Sequence, residues 1–100
     1  MKLINAELRN KAHPSTFTIP DAFDREHLRL GDFAKIGIEG EPSGERFWVE
    51  VTHSLYANLY RGKLVNDLLT VPLDVGHEII FGPEHVLDIM DNEETEEKEG

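Results

Sequence analysis

Residues 45–53, Glu-Arg-Phe-Trp-Val-Glu-Val-Thr-His, alternate without a break. Phe47, Val49 and Val51 fall on one side, and Arg46, Trp48, Glu50 and Thr52 on the other. Successive side chains of an extended chain leave on opposite faces, so this segment can bury its apolar residues only as a strand with one face on a core and the other toward water. Whatever else the chain does, it must build a sheet around this strand.

Shorter segments with the same period flank it. Leu28-Arg29-Leu30 leads through a Gly31-Asp32 turn into Phe33–Glu39, which reads as a strand. Two glycines and a proline within Gly40–Gly44 predict a loop. A third strand is expected from Ala57 to about Asn66, with Gly62 as a bend or bulge inside it. Asn66-Asp67 reads as a turn whose side chains bond their own backbone. Thr70-Val71-Pro72-Leu73 is a short extended piece, and Glu78–Phe81 is the last strand, stopped by Gly82-Pro83. Pro83 suits the first position of a helix, so Glu84–Ile89 is expected to form one terminal helical turn.

Before Leu28 the period is helical. Ile4, Leu8 and Ala12 stand in one i, i+4 row beside Leu3, with Glu7, Arg9 and Lys11 on the other side, so Leu3–Ala12 predicts a short amphipathic helix. Pro14 ends it by forcing the preceding residue out of helical geometry. Ser15–Pro20 reads as extended, and Asp21 as the cap of a turn over Ala22–His27, with Asp24 near its positive end. Leu28-Arg29-Leu30-Gly31-Asp32 and Leu73-Asp74-Val75-Gly76-His77 echo each other at an offset of 45 residues, as two sharp glycine turns feeding strands do. Short strands and tight turns predict a mainly β fold bordering on α+β. The expected form is a small, strongly bent antiparallel sheet or partly open SH3-like barrel, with the N-terminal helix over one end or edge.

The chain has 100 residues, the length of one domain. Twenty acidic residues against ten basic give a net charge of −10, distributed unevenly. Residues 91–100 hold six acidic groups and one lysine, −5, while residues 1–90 hold fourteen and nine, also −5. The reading is therefore one β-rich domain over residues 1–90 and a disordered acidic tail over 91–100 without an apolar residue to anchor it beyond Met90. The acidity argues against direct binding to a nucleic-acid backbone. No apolar run approaches the roughly 20 residues of a membrane span, and the first residues lack a secretory pattern. The absence of cysteine removes disulfides, thiolate metal sites and thiol nucleophiles, and fits a cytoplasmic location.

Several stretches together resemble a known family. They are His13-Pro14-Ser15-Thr16-Phe17-x-Ile19-Pro20, Leu30-Gly31-Asp32-x-Ala34-Lys35-Ile36 and Glu45–Val51. Tyr60-Arg61-Gly62-x-Leu64-x-Asn66-Asp67 and Gly76-His77-Glu78-Ile79-x-Phe81 continue the pattern. It resembles the bacterial family of domain of unknown function 2314 over roughly residues 5–90, departing at His77, where the family pattern reads Gly-Asp. The resemblance implies a small, mostly β domain and no activity.

Catalytic and metal chemistry find no foothold. The five histidines are scattered, His85 and Asp88 being the only close pair at i, i+3, and no His-Glu-x-x-His run occurs. None of Ser15, Ser43 and Ser54 lies in a nucleophile elbow. Ser54 and His53 are strand neighbours on opposite faces. Glu39, Glu41 and Glu45 sit around a polar loop, and Gly40 and Gly44 lack the Lys-Ser/Thr of a phosphate loop. No enzyme activity, metal or cofactor is expected.

What stands out is an aromatic on the polar side of the best strand. Trp48 shares its face with Arg46, and Trp with Arg is the composition of interface hot spots. Tyr56 and Tyr60 precede or open the next strand and are expected to gather near Trp48. The alternative is that Trp48 closes a second small core under the N-terminal helix. These residues give the leading expectation, a non-enzymatic cytoplasmic module whose partner is another protein. It would act as a monomer or weak homodimer, with Trp48, Arg46, Tyr56 and Tyr60 at the contact. The other expectation is an acidic inhibitor that mimics nucleic acid and occupies a basic protein.

Overall fold

Alternation and edge pairing together build the sheet seen in the computed structural model, which describes residues 2–40, 44–69 and 72–90. Among these residues five strands form: β1 (Phe33–Ile38), β2 (Glu45–Ser54), β3 (Tyr60–Leu64), β4 (Glu78–Phe81) and β5 (Asp88–Met90). Two short helices, α1 (Ala6–Ala12) and α2 (Ala22–Glu26), precede them. Every neighbouring pair is antiparallel, in the order β4-β3-β2-β1-β5. The mainly β expectation thus holds. The sheet remains open, because no ladder joins β4 to β5 among the described residues. Tail residues 91–100, most of the loop at 41–43 and residues 70–71 of the expected extended piece lie outside the described residues.

The inner face carries the main core. Ile36, Phe47, Val49, Val51, Leu64 and Phe81 are almost wholly buried there, with Tyr60, Ile79 and Val86 among them. Alternation in β2 survives to Val51, and then the register slips: Val51 pairs with Gly62, but His53 pairs with Arg61. Thr52 is the extra residue of this bulge, and its hydroxyl donates to the Arg61 carbonyl at 3.1 Å. Gly62 is needed opposite, since a Cβ there would lie 3.0 Å from the Glu50 carbonyl oxygen.

A second, smaller cluster lies on the outer face. Leu3 bridges Ile38 at the edge of β1 and faces the main core, so Ile4 turns to the other side. There Ile4 rests on Gly37, where a Cβ would come 2.6 Å from its Cδ1. Ile4, Ala6 and Leu87, with Phe17 and Ile19, make this cluster beneath α1. Asn5 caps α1 by accepting from the Leu8 N–H at 3.0 Å.

Two strand expectations need correction. The third strand begins at Tyr60 rather than Ala57, because Tyr56–Leu59 form the hairpin turn between β2 and β3. Ala57 and Asn58 both have φ near +60°, as such a turn demands. The expected helical turn at 84–89 shrinks to a 3-10 turn at Pro83–His85, and Asp88–Met90 become β5. The Leu87 N–H donates to the Lys35 carbonyl at 2.8 Å, so the free edge of β1 draws this segment into the sheet.

That correction has a geometric consequence. β4 and β5 run in the same direction on opposite edges, yet only Gly82–Leu87 connect them. Four strand spacings in a flat sheet would separate the edges by about 19 Å before any return along the strand. Same-direction neighbours usually need a connection of about a dozen residues. Six residues with a 3-10 turn among them therefore require the sheet to curl.

Arg25 locks the curled sheet to the helices. It is only 6% exposed, and its guanidinium bonds the carbonyls of Pro20 (2.8 Å) and Pro83 (2.9 Å) and the Glu7 carboxylate. Replacing Arg25 with Lys removes the fork that serves these acceptors together, and should lower unfolding free energy by about 2–3 kcal/mol in urea melts. Ala57→Gly should act in the opposite direction, raising stability by up to about 1 kcal/mol by removing the left-handed penalty on a Cβ-bearing residue.

Candidate functional site

The alternation of β2 puts Trp48 and Arg46 on the outer face together, as expected. Trp48 stands opposite Lys35 of β1, whose Nζ lies 5.9 Å from the centre of its ring. Its backbone N–H donates to Asn66 Oδ1 at 2.8 Å, so Asn66 ties β2 to the chain after β3 instead of closing only a local turn. Phe33 and Met90, a cross-strand pair, lie on the same face and are partly buried. Glu50 and Lys63 form an exposed ion pair at 3.9 Å beside them.

Arg46 belongs to the covered half of this face. Its guanidinium carbon sits 5.5 Å from the Phe17 ring, which Arg9 approaches at 6.0 Å. The outer face is thus divided. Toward the end of β1, α1 and Phe17 cover it; farther along, Trp48 is partly buried beside Lys35, with its backbone bonded to Val65 and Asn66. Trp48 is partly buried and belongs to neither apolar cluster, so the second core under α1 forms without it.

The two tyrosines do not join this group. Tyr56 is 93% exposed at the tip of the β2–β3 hairpin. Tyr60 is 3% exposed on the inner face, on the far side of the sheet from Trp48, with its ring centre 5.5 Å from that of Phe81. Its hydroxyl donates to the Arg25 carbonyl at 3.1 Å and accepts from the Leu28 N–H at 3.3 Å. The expectation that both tyrosines line a contact surface with Trp48 is therefore corrected for Tyr60, which is a core residue. The pattern Tyr60-x-Gly62-x-Leu64 between Arg61 and Lys63 carries the signal, since it has the inward and outward alternation of β2.

A feature outside those expectations is a cleft of about 620 Å³ between the α2 region and β5. Phe23 and His27 stack at its edge with ring centres 4.1 Å apart. Asp24, Asp32 and Asp88 contribute its acidic groups, and Leu87 an apolar wall. Asp32 is 4% exposed. Its Oδ2 accepts from the Arg29 N–H at 2.8 Å, and its backbone bonds Arg29 and Val51. Its Oδ1 is the one buried side-chain oxygen or nitrogen without a partner among the described residues. Gly31-Asp32 is the turn the sequence predicts, and its carboxylate also pairs with Arg29 Nε at 4.0 Å, Arg29 lining the same cleft.

Among the described residues no group of three or more His, Asp or Glu is placed to share a metal ion, and no helix is long and apolar enough to cross a membrane. No protein-family model, curated protein or solved structure matches the chain.

Tyr60 generates a pH prediction. Burial, the leading cause, raises its pKa above 10.0, with the Leu28 hydrogen bond opposing and Glu26 adding to the rise. In the unfolded chain the phenol ionises near pH 10, while in the folded protein it stays neutral to higher pH. Its contribution is thus complete below about pH 10 and is lost as pH climbs through the raised value. Tyr60→Phe should lower stability by about 1–2 kcal/mol at pH 7. The mutant's deficit should narrow above pH 10, as measured by chemical denaturation at stepped pH.

Proposed function

We propose that this protein is a non-enzymatic interaction module that meets a partner protein on the open half of its outer sheet face. The observation that carries the reading is Trp48, a large, partly exposed aromatic on the polar face of β2 and outside both cores. A side chain of this kind offers more to a partner than to its own fold, and Trp is enriched where interfaces concentrate their energy. Arg46 borders the surface from the covered side, and Tyr56 would extend it only if the partner reached the hairpin tip. The module would work in the cytoplasm as a monomer or weak homodimer, with the far edge of β4 as the natural place for a second copy to pair.

The strand order, with a 3-10 turn between the last two strands, supports classing the curled sheet with SH3-like barrels left open on one side. Kinship with the family of domain of unknown function 2314 belongs to the same proposal.

The acidic-mimic reading draws less support. A mimic of nucleic acid needs carboxylates along one folded face. Here Lys35, Arg46, Arg61 and Lys63 alternate with Glu50, Glu78 and Asp88 across the outer face.

The test is capture from host lysate with the full chain and with Trp48→Ala, followed by affinity measurement on the captured protein. Loss of about 2 kcal/mol or more of binding, nearly independent of salt, with a cooperative unfolding transition retained, is the expected result. Unchanged affinity would defeat the proposal. Global unfolding of Trp48→Ala would assign the residue to the fold, and steep loss at high salt would favour the acidic mimic.

A further inference from the structure

The far edge of β4 matches a second copy of itself. In the β3–β4 ladder the Leu64 N–H donates to the His77 carbonyl at 2.9 Å, so Gly62–Ile79 and Tyr60–Phe81 are the next hydrogen-bonded pairs. Between them lie the non-bonded pairs Lys63–Glu78 and Arg61–Ile80, whose β4 backbone groups point away from β3. No described strand lies beyond β4, so the N–H and C=O of Glu78 and Ile80 have no ladder partner among the described residues. The neighbouring groups along this edge are already engaged. The Gly76 N–H donates to the Leu64 carbonyl at 2.8 Å, and the Gly82 N–H and C=O are both bonded to His85 at 3.0 Å.

These constraints select one register. With a two-fold axis through Ile79, each Glu78 stands opposite the partner's Ile80, and four hydrogen bonds use every open group on both edges. Centring the axis on Ile80 instead would set Glu78 against Gly82, whose backbone groups are taken. The side chains fit the same choice. Glu78 and Ile80 lie on the outer face, Ile80 being 52% exposed, with Arg61 beside it. Neither Arg61 nor Glu78 makes an ion pair among the described residues, and Lys63, next to Glu78, is paired with Glu50. In the selected register Arg61 and the partner's Glu78 stand two strand spacings apart, about 10 Å between backbones. The two side chains can meet across Ile80, the arginine stem lying over it. The axis repeats this pair, so the match is complementary in charge on both sides.

We propose that two copies of this chain pair edge to edge through β4, antiparallel, with Ile79 at the two-fold axis and Arg61 joined to the partner's Glu78. The proposal rests on the homodimer reading above, to which it gives a surface and a register, and it is independent of the Trp48 contact. So short an edge does not reach the roughly 1,000 Å² that a stable interface clears, which makes the dimer weak and readily separated.

The test is sedimentation equilibrium of the full chain up to about 2 mM, where a dimer with a Kd of about 1 mM is populated. About 0.15 M salt screens the repulsion between two copies of net charge −10. Amide exchange of residues 78–80 is followed over the same concentrations. A monomer–dimer equilibrium is expected, in which the Glu78 and Ile80 N–H groups gain protection with concentration while that of Ile79, bonded within the sheet, is protected throughout. Ile80→Pro removes a donor that the single copy leaves unused, on an edge that tolerates proline. The change counts twice across the axis and should weaken the dimer about tenfold or more. Glu78→Arg brings cations together and should weaken it several-fold, and adding Arg61→Glu should restore it. If Ile80→Pro does not fold, the charge exchange carries the test. A monomer at every concentration would overturn this pairing while leaving the Trp48 reading in place. So would undiminished dimerisation of folded Ile80→Pro or Glu78→Arg, or no recovery with Arg61→Glu. A dimer lost in Trp48→Ala but kept in Glu78→Arg would overturn it as well and move the contact to the Trp48 face.

Discussion

The guanidinium of Arg25 is the point on which the helical layer depends. Among the described residues there are two α-helices, of seven and five residues, too short to hold their shape by local hydrogen bonding. What fixes them is a buried cation whose acceptors come from three separate places: Pro20 before α2, Glu7 on α1 and Pro83 in the turn after β4. Glu7 remains 43% exposed at its side chain while Arg25 is 8% exposed. The ion pair is therefore not sealed from water on both sides, which lowers the desolvation cost that burdens fully buried pairs. Tyr60 completes the arrangement from the sheet, bonding the Arg25 carbonyl with the same hydroxyl that accepts from Leu28. Helix, turn and core strand thus meet at one residue.

The position of that residue follows from the curl of the sheet. Pro83 lies on the six-residue connection that crosses from the β4 edge to the β5 edge. Such a short crossing brings the turn over the inner side of the sheet, where Val86 is fully buried, and then returns Leu87 to the outer cluster. Adjacent residues Val86 and Leu87 serve different cores, as do Leu3 and Ile4. The edge of β1 is where the chain changes sides, and the two apolar clusters are joined there through the backbone.

How much of this could be read beforehand depends on whether the determining contact was local. β1, β2 and β4 were legible because alternation is a property of a few consecutive residues. Residues 88–90 were not, since three residues carry little periodicity and the strand exists because β1 has a free edge for it. The Tyr56–Leu59 turn is hidden in the sequence because Ala57 occupies a left-handed position that usually announces itself with glycine or asparagine. Among site residues, Trp48 and Arg46 share the face that alternation assigned them. Tyr60 carries the same kind of signal, and alternation with Gly62 and Leu64 turns it inward, away from its sequence neighbour Tyr56. Arg25 and Asp32 were invisible for a different reason. The Arg25 contact to Pro83 spans 58 residues, and the Asp32 backbone carbonyl accepts from the Val51 N–H of another strand, so no short window of sequence contains the cause.

The two surfaces of interest are also connected by structure. Asp88 stands opposite Lys35 in the ladder, and Lys35 approaches the ring of Trp48; the same Asp88 lines the cleft. β5 therefore forms the border between the outer sheet face and the cleft, and among the described residues three residue pairs and the Leu87 hydrogen bond hold it to β1. Elements with so few bonds open at lower free energy than the strands at the centre of a sheet. A shift of β5 would move Asp88 relative to both Lys35 and Asp32, whereas the central strands would keep their places. The two surfaces thus share a border at an edge strand held by three pairs among the described residues, while Trp48 and Asp32 themselves are anchored on β2 and at the entry to β1.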